Sequence, residues 1–300
     1  MYLRPDDPGV RANVLGLAAN ILLMVLKFVY GSLAGSEALR ADGFNSAGDI
    51  LATSIAFAAY LYAKKPADAD HHYGHGNAEN VAGLIIGGML FATGIFIVIQ
   101  SILVLIDGAY QSPAMPAVYV ALVTILIKEG LFHYASWAGK KVKSAALLAS
   151  AKDHRADVFV AFVVLVGIVA ARTSVPWLDP LSAVLVGLYI AWMAVDPVLS
   201  NMNILMDRAP VEIRGVIRSE VLALPDVHGV RDIRVHPVGS DLHVDLEIGL
   251  DERLTLHDAH EKAHEVEERI KSGIEDVVEV SVHVNPVNVD GQPGKGPTTA

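Results

Sequence analysis

Two pairs of polar residues with matched spacing lie inside otherwise apolar stretches. Asn45 and Asp49 are four residues apart, and so are Asp153 and Asp157. On a helix, residues four apart share one face, about one turn from each other. If two neighbouring helices present these faces to each other, four oxygen-bearing side chains surround one point and can bind a cation. The alternative is that they are interfacial residues satisfied by water, although carboxylates buried in a membrane usually serve a function.

A second cluster lies in the sequence KKPADADHHYGHGNAEN and contains Asp68, His71, His72 and His75. One carboxylate and as many as three imidazoles, so close together, offer ligand types that divalent transition metals prefer. A solvated polar loop is the other interpretation, but the density of histidines favours a metal. We therefore predict a metal site in this loop.

The C-terminal third carries a third group of metal-ligating side chains, comprising His243, Asp245, His260, His264 and His283. The sequence HEKAH, which includes two of these histidines, matches the zinc-peptidase pattern H-E-x-x-H. A peptidase would also need a third ligand and a substrate cleft within a small domain. A solvated helix face and a regulatory metal site are therefore the two main interpretations.

Six apolar stretches are each long enough to span a membrane, and two of them contain the polar pairs described above. With 53% hydrophobic and 19% charged residues, the chain is more apolar than a typical soluble protein. A span needs about 20 mainly apolar residues. We predict spans over residues 12–34, 40–63, 80–106, 115–138, 146–171 and 178–199. The second is the least apolar, since Asp42, Asn45 and Asp49 lie in its first half.

Three other charged residues, Lys27, Lys128 and Glu129, also fall within predicted spans. Lys128 and Glu129 are adjacent, so on a helix they point about 100° apart and cannot pair on one face. We expect these three residues to reach the membrane surface or to form structural ion pairs.

The distribution of basic residues predicts the orientation. Lys64, Lys65, Lys140 and Lys141 flank the spans on one side, and the loops on the other side are poor in lysine and arginine. Since positive loops face the cytoplasm, we predict that both termini are cytoplasmic. The short loops and compact size indicate an integral protein of a prokaryotic inner membrane.

The net charge of −10 excludes several classes of function. Residues 207–300 contain 19 of the 33 acidic side chains and 10 of the 23 basic ones, so the negative charge is concentrated there. Nucleic-acid binding requires the opposite balance.

The absence of cysteine excludes disulfides and thiolate metal sites. Without a glycine-rich phosphate-binding motif, we predict no ATP hydrolysis, no organic cofactor and no enzymatic activity, so any transport uses an ion gradient.

After the last span the pattern changes to that of a small soluble domain. Apolar periodicity predicts helices over Val211–Leu224 and Leu256–Lys271 and strands over Gly229–His236, Leu242–Gly249 and Val277–Val284. The order αββαβ is typical of a compact α+β domain. We therefore divide the chain into a six-helix membrane domain (1–208), a small α+β domain (209–287) and a tail (288–300) whose composition predicts disorder.

Together these motifs resemble the cation diffusion facilitator family over about residues 11–287. The similar stretches are ALRADGFNSAGD, PADADHHYGHGNAEN, DHRAD, LMDRAP and HEKAHEVEERI. The resemblance implies a homodimer of six-helix membrane domains with cytoplasmic ferredoxin-like domains. It also implies export of a divalent metal ion from the cytoplasm in exchange for protons.

The resemblance assigns three metal sites by position. The transport site comprises Asn45, Asp49, Asp153 and Asp157. The loop site comprises Asp68, His71 and His75. The cytoplasmic site comprises Asp245, His260 and His283.

Two departures from the family's pattern bear on the choice of metal. Zinc-transporting relatives typically have His or Asp in place of Asn45 and His in place of Asp153. A site with only oxygen ligands favours Mn²⁺ more than an imidazole-containing site would, and this combination resembles the manganese-exporting branch of the family. We predict Mn²⁺ as the substrate, with Zn²⁺, Fe²⁺ and Co²⁺ as alternatives. A membrane metal sensor that binds without transporting is the competing class of function.

Other departures concern the cytoplasmic part. Arg231 and Asp232 fall where some relatives have a metal-binding histidine, and Asn285 replaces a carboxylate ligand, which argues against a binuclear site. Asn77 stands where some relatives have a lysine that pairs with the counterpart of Asp207. That salt bridge cannot form here.

Overall fold

Six long helices are followed by a small α+β domain in the computed structural model, which describes residues 8–142, 144–173 and 175–287. The long helices are α1 (Pro8–Ala34), α2 (Glu37–Ala63), α3 (Ala78–Ile106), α4 (Met115–Val142), α5 (Ala145–Thr173) and α6 (Leu178–Leu205). The smaller elements are α7 (Ile213–Leu222), β1 (Gly229–Val238), β2 (Asp241–Asp251), α8 (Leu256–Gly273) and β3 (Val277–Val287). The predicted fold class, six membrane helices and an αββαβ domain, is confirmed.

Five of the long helices, all except α2, are long and apolar enough to cross a membrane by length and composition. Helix α2 has 27 residues, which corresponds to about 40 Å at 1.5 Å per residue, so its length is sufficient. Its lower hydropathy comes from polar residues that include Asp42, Asn45 and Asp49, and the first two of these are buried. The least apolar helix is therefore the one that carries polar side chains into the helix bundle.

The start of α2 is held by a carboxylate from α6. Asp179 is 1% exposed, and its Oδ1 accepts a hydrogen bond of 2.6 Å from the Ser36 hydroxyl. Its Oδ2 accepts one of 2.6 Å from the backbone N–H of Glu37. The first N–H groups of a helix have no partner within the helix, and a carboxylate there satisfies them and complements the helix dipole. Asp179 therefore sets where α2 begins, which fixes the position of the polar residues further along it.

Small residues allow the membrane helices to approach closely. A Cβ added at Gly94 of α3 would lie 2.6 Å from the backbone oxygen of Gly187 on α6, so neither position has room for a side chain. Close backbone approach at glycine is a common way for helices to associate in a bilayer. Elsewhere α4 packs against α5 and α1, which brings the helix carrying Asp153 and Asp157 into the bundle.

The C-terminal domain has a three-stranded sheet in the order β1-β2-β3. Strands β1 and β2 are antiparallel and are connected by a turn at Gly239. Strands β2 and β3 are parallel and are connected by the crossover helix α8. Thr255 caps α8 by accepting a hydrogen bond from the backbone N–H of Asp258. Both helices bury apolar residues, among them Ile217 and Ile270, in one core with the sheet. Alternation along the strands places polar residues on the opposite face.

The described residues group into two compact units by their contacts. One contains the residues up to 56 together with 85–198, and the other contains 57–84 together with 199–287. The loop that carries Asp68, His71 and His75 thus belongs to the same unit as the C-terminal domain. The predicted disordered tail, 288–300, lies outside the described residues.

Candidate metal-binding sites

Asn45 and Asp157 of the predicted transport site are in direct contact. The amide Nδ2 of Asn45 donates a hydrogen bond of 3.2 Å to Asp157 Oδ1, which joins α2 to α5. Asn45 is 4% exposed, and its Oδ1 is one of two buried side-chain oxygens in the described ranges without a hydrogen-bond partner. A buried oxygen without a partner is costly unless a ligand satisfies it. The Asn45 carbonyl therefore has the free electron pairs that a cation requires.

The other oxygen of Asp157 is held by a lysine. The ammonium of Lys128, on α4, lies 2.5 Å from Asp157 Oδ2 and donates a hydrogen bond of 2.8 Å to Asn20 Oδ1 on α1. Lys128 is 1% exposed, so it does not reach the membrane surface. Of the two expectations for this residue, the ion pair is correct. Its partner, however, is a predicted metal ligand, which the spacing along one helix could not show.

The remaining two transport-site residues are more open. Asp49 is partly buried and Asp153 is exposed, and both lie within electrostatic range of Asp157 and Lys128. Among the described residues, the ligand atoms of Asp49, Asp153 and Asp157 do not form a group within 4.8 Å of one another. The structure therefore brings Asn45 and Asp157 into contact, while the three carboxylates do not close into one group.

A second buried ion pair, between Lys27 and Asp42, lies next to these residues on α2. The Lys27 ammonium lies 2.9 Å from Asp42 Oδ1 and donates a hydrogen bond of 2.9 Å to the Ser46 hydroxyl. Both charged side chains are 1% exposed. Asp42 Oδ2 is the second buried oxygen without a partner in the described ranges. The sequence contains both charges but does not show that they pair, because they lie on different helices.

Glu129, the third charged residue within a span, also forms an ion pair. It contacts the guanidinium of Arg155 on α5 and lies 3.2 Å from His133 Nε2, one turn along its own helix. All three side chains are at least one-third exposed, so this group is less buried than the two lysine pairs.

The three residues of the predicted loop site lie close together. Asp68, His71 and His75 place one ligand atom each within 4.8 Å of the others, and they are the only such group among the residues that the structure describes. Asp68 Oδ1 lies 3.2 Å from His71 Nδ1, and Asp68 Oδ2 lies 3.4 Å from His75 Nε2. The backbone carbonyl of Pro66 lies 3.2 Å from His75 Nδ1 and orients the ring. His72 is exposed and is not part of the group.

The loop backbone keeps the Asp68 carboxylate ionised. The N–H groups of His71 and Asp70 donate hydrogen bonds of 2.8 and 3.0 Å to Asp68 Oδ1. These bonds, with the His71 bond first, hold the pKa of the Asp68 carboxyl below its usual value. Asp68 therefore remains a charged ligand on mild acidification.

Asp68→Asn is expected to weaken metal binding in the loop by at least about 10-fold, since it removes the one charged ligand. Asp70→Asn is the matched control, because Asp70 contributes only its backbone N–H to the site. Equilibrium dialysis of the full chain against Zn²⁺, with metal and protein quantified, measures the effect. Equal losses in the two variants would show that general loop charge, rather than this geometry, binds the ion.

The predicted cytoplasmic set is not brought together within one chain. Asp245 on β2 and His283 on β3 are both on the exposed face of the sheet, whereas α8, which carries His260, packs on the other face. His260 Nε2 instead lies 3.1 Å from His264 Nε2. The three residues cannot share one ion within a chain because the sheet lies between them. The sequence pattern could not show this, since it does not specify which face α8 covers.

The loop contacts the turn of the C-terminal hairpin closely. Gly239 N donates a hydrogen bond of 3.1 Å to Asn77 Oδ1. Gly239 has a φ of +66°, and a Cβ there would lie 2.8 Å from the Gly76 carbonyl, so both the backbone and the neighbour require glycine. Asp207 does not contact Asn77; its Oδ1 lies 2.5 Å from His236 Nδ1. In place of the salt bridge that some relatives form, Asn77 therefore contacts Gly239 and Asp207 contacts His236.

Comparison with known proteins agrees with the two-part fold. Residues 14–206 match the cation efflux transmembrane domain, and residues 209–287 match the cytoplasmic domain of cation efflux proteins.

The uncharacterized transporter YdbO of Bacillus subtilis is 33% identical over 281 residues, covering 94% of this chain and 97% of that protein. The manganese efflux system protein MneS of the same organism is 31% identical, covering 93% and 96%. MneP, a second manganese efflux system protein, is 31% identical, covering 92% and 95%. Since both domains match over most of their length, this integral membrane protein belongs to the cation diffusion facilitator family of metal efflux transporters.

Proposed function

We propose that this protein exports Mn²⁺ from the cytoplasm in exchange for protons, through a site formed by Asn45, Asp49, Asp153 and Asp157. The observation that carries the proposal is the contact between Asn45 and Asp157, which leaves a buried amide oxygen without a partner between α2 and α5. That oxygen and the neighbouring carboxylate oxygens are hard ligands. A site made of them suits Mn²⁺ better than a site that contains imidazole does. Two relatives at 31% identity are named as manganese efflux proteins, which supports the same metal.

Proton exchange follows from the charge of the ligands. Asp49 and Asp153 each lie within electrostatic range of Asp157. In a low-dielectric site such carboxylates repel one another, so a departing metal ion must be replaced by other positive charge. No histidine belongs to the four-residue set, so protons would bind to Asp49, Asp153 and Asp157 acting as one coupled group. Alternating access would expose this group to each side of the membrane in turn.

The arrangement in the cell is part of the proposal. The positive charge of Lys64, Lys65, Lys140 and Lys141 supports a cytoplasmic position for the termini and the C-terminal domain. We propose that the membrane is a prokaryotic inner membrane. We propose a homodimer, in which the cytoplasmic domain contributes to the interface. Two copies would bring a second set of His260, Asp245 and His283 within reach, so the cytoplasmic site that one chain does not close could form between chains.

The test is flux into proteoliposomes that contain the purified full chain, with Mn²⁺ or Zn²⁺ outside and an imposed pH gradient. We expect Mn²⁺ flux that requires the gradient and exceeds Zn²⁺ flux. Zn²⁺ flux with little Mn²⁺ flux would keep the transporter and contradict the metal assignment. No flux of either ion, with metal bound at the loop site, would indicate a sensor.

Exchanging two ligands tests whether the donor set selects the metal. Asn45→His combined with Asp153→His introduces imidazole at both sites where zinc-transporting relatives differ. We expect the ratio of Zn²⁺ to Mn²⁺ flux to rise by at least about 10-fold, since imidazole favours Zn²⁺. An unchanged ratio in a folded, active double variant would show that selectivity is determined elsewhere in the chain.

A further inference from the structure

The site proposed for transport already contains a positive charge that belongs to the protein. The Lys128 ammonium lies 2.5 Å from Asp157 Oδ2, at a position where it is 1% exposed. Asn45 Nδ2 donates a hydrogen bond to Asp157 Oδ1, so both oxygens of this carboxylate have a partner. A divalent cation bound by Asp157 would meet a fixed positive charge at hydrogen-bond distance from its ligand. In a low-dielectric interior such repulsion is strong, so the metal ion and this ion pair exclude each other.

We propose that Lys128 is a tethered counter-cation that neutralises Asp157 when the transport site is empty and is displaced when the metal binds. The inference rests on the transport function proposed above and adds a residue that sets metal affinity. Because each binding event must break the Lys128–Asp157 pair, the ion pair lowers the affinity for the metal. Re-formation of the pair helps to expel the metal on the release side. Lys128 does not itself bind the metal; it acts through Asp157.

The surroundings of Lys128 allow this displacement. Its ammonium also donates a hydrogen bond to Asn20 Oδ1 on α1, so it keeps a polar partner when it leaves Asp157. A lysine side chain has four flexible methylene groups and a compact ammonium, which suits a short movement between two acceptors. Asp157 is 15% exposed, whereas Lys128 is 1% exposed, so the carboxylate is the more accessible member of the pair.

The second buried pair provides a matched control within the same bundle. Lys27 is as buried as Lys128 and pairs with Asp42 at 2.9 Å, but Asp42 is not one of the proposed ligands. A purely structural role for buried lysines would make the two pairs equivalent. The proposed role makes removal of Lys128 affect metal affinity more than removal of Lys27, since only Lys128 pairs with a proposed ligand.

The experiment measures Mn²⁺ affinity by calorimetry on the detergent-purified full chain, comparing wild type with Lys128→Met, Lys128→Gln and Lys27→Gln. The signal of interest is the part of the Mn²⁺ binding that Asp49→Asn abolishes. We expect both Lys128 variants to lower the Kd for Mn²⁺ by about 10- to 100-fold, the usual size of coupling between two bound charges. Their maximal flux should fall together with KM, since release is slower. Lys27→Gln should change the Kd less than either Lys128 variant does, since Lys27 pairs with Asp42 rather than with a proposed ligand.

A thermal measurement separates this role from a merely structural one. If Lys128 only stabilised the fold, its removal would lower Tm equally with and without Mn²⁺. As a counter-cation, its removal destabilises the metal-free protein and increases the rise in Tm that Mn²⁺ produces. Lys128→Gln retains polar contacts to Asp157 and Asn20, so it keeps the test available if Lys128→Met does not fold.

Two outcomes separate this inference from the proposed function. Mn²⁺ binding that Asp49→Asn removes but that both Lys128 variants leave unchanged would overturn the role of Lys128 alone. A wild-type protein with no Mn²⁺ binding sensitive to Asp49→Asn would overturn the transport site and this inference with it.

Discussion

Asp49→Asn is expected to reduce Mn²⁺ flux by at least about 100-fold while the protein stays folded. Removing a group that only supports a metal ligand typically costs 10- to 100-fold, so removal of a charged ligand should reach or exceed that range. Among the described residues, the Asp49 carboxylate forms no ion pair, and asparagine has nearly the same shape. The substitution therefore removes charge from the site without breaking a structural contact. Flux into proteoliposomes at equal protein density measures the effect.

Asp196→Asn is the matched control for this prediction. Asp196 lies on α6, a membrane-spanning helix, but its side chain is exposed and lies outside the four-residue set. Flux in this variant should stay within about 2-fold of wild type, in line with the small effects of surface substitutions. If Asp49→Asn transports as fast as Asp196→Asn, the transport site has been placed on the wrong residues.

The second large effect is expected from Asp42→Leu, which should destabilise the protein by about 3–5 kcal/mol. The substitution leaves the Lys27 ammonium buried at 1% exposure, with Ser46 as its remaining hydrogen-bond acceptor. An unpaired buried charge is among the most costly features in a protein interior. The free energy of unfolding in detergent micelles, obtained from denaturant titration, measures the loss.

The double variant Lys27→Met with Asp42→Leu should recover most of this stability. Replacement of a whole buried ion pair by apolar residues is often neutral or stabilising, since neither charge then has to be desolvated. A double variant as unstable as Asp42→Leu alone would contradict the view that the two residues act as a pair. A stable double variant without Mn²⁺ flux would show that this ion pair has a role in transport as well as in stability.

Features that depend on neighbouring residues in the chain were predictable. The loop site could be identified because Asp68, His71 and His75 lie within one short loop, whose own backbone then completes the geometry. The same is true of the helices and strands, whose apolar periodicity is local. The sequence HEKAH shows the limit of such patterns. It matches a peptidase motif, but the family consists of transporters rather than enzymes, and its two histidines contact each other.

Features that depend on distant residues were not predictable. Helix α2 begins at Glu37 because Asp179, 142 residues away, accepts hydrogen bonds from its first turn. The predicted cytoplasmic set failed to converge in one chain because α8 covers one face of the sheet while Asp245 and His283 lie on the other. Neither the capping contact nor the covered face leaves a signal in the local spacing.

Length, hydropathy and periodicity are properties of contiguous segments. The six long helices, the αββαβ domain and the polar residues within the membrane could therefore be predicted from the sequence. The groups that these residues contact depend instead on how the helices pack. Lys128 and Asp157 are 29 residues apart on two helices, and Asn45 is 112 residues from Asp157. In a low-dielectric bundle each buried charge needs a partner, and helix packing alone determines which partner lies within reach.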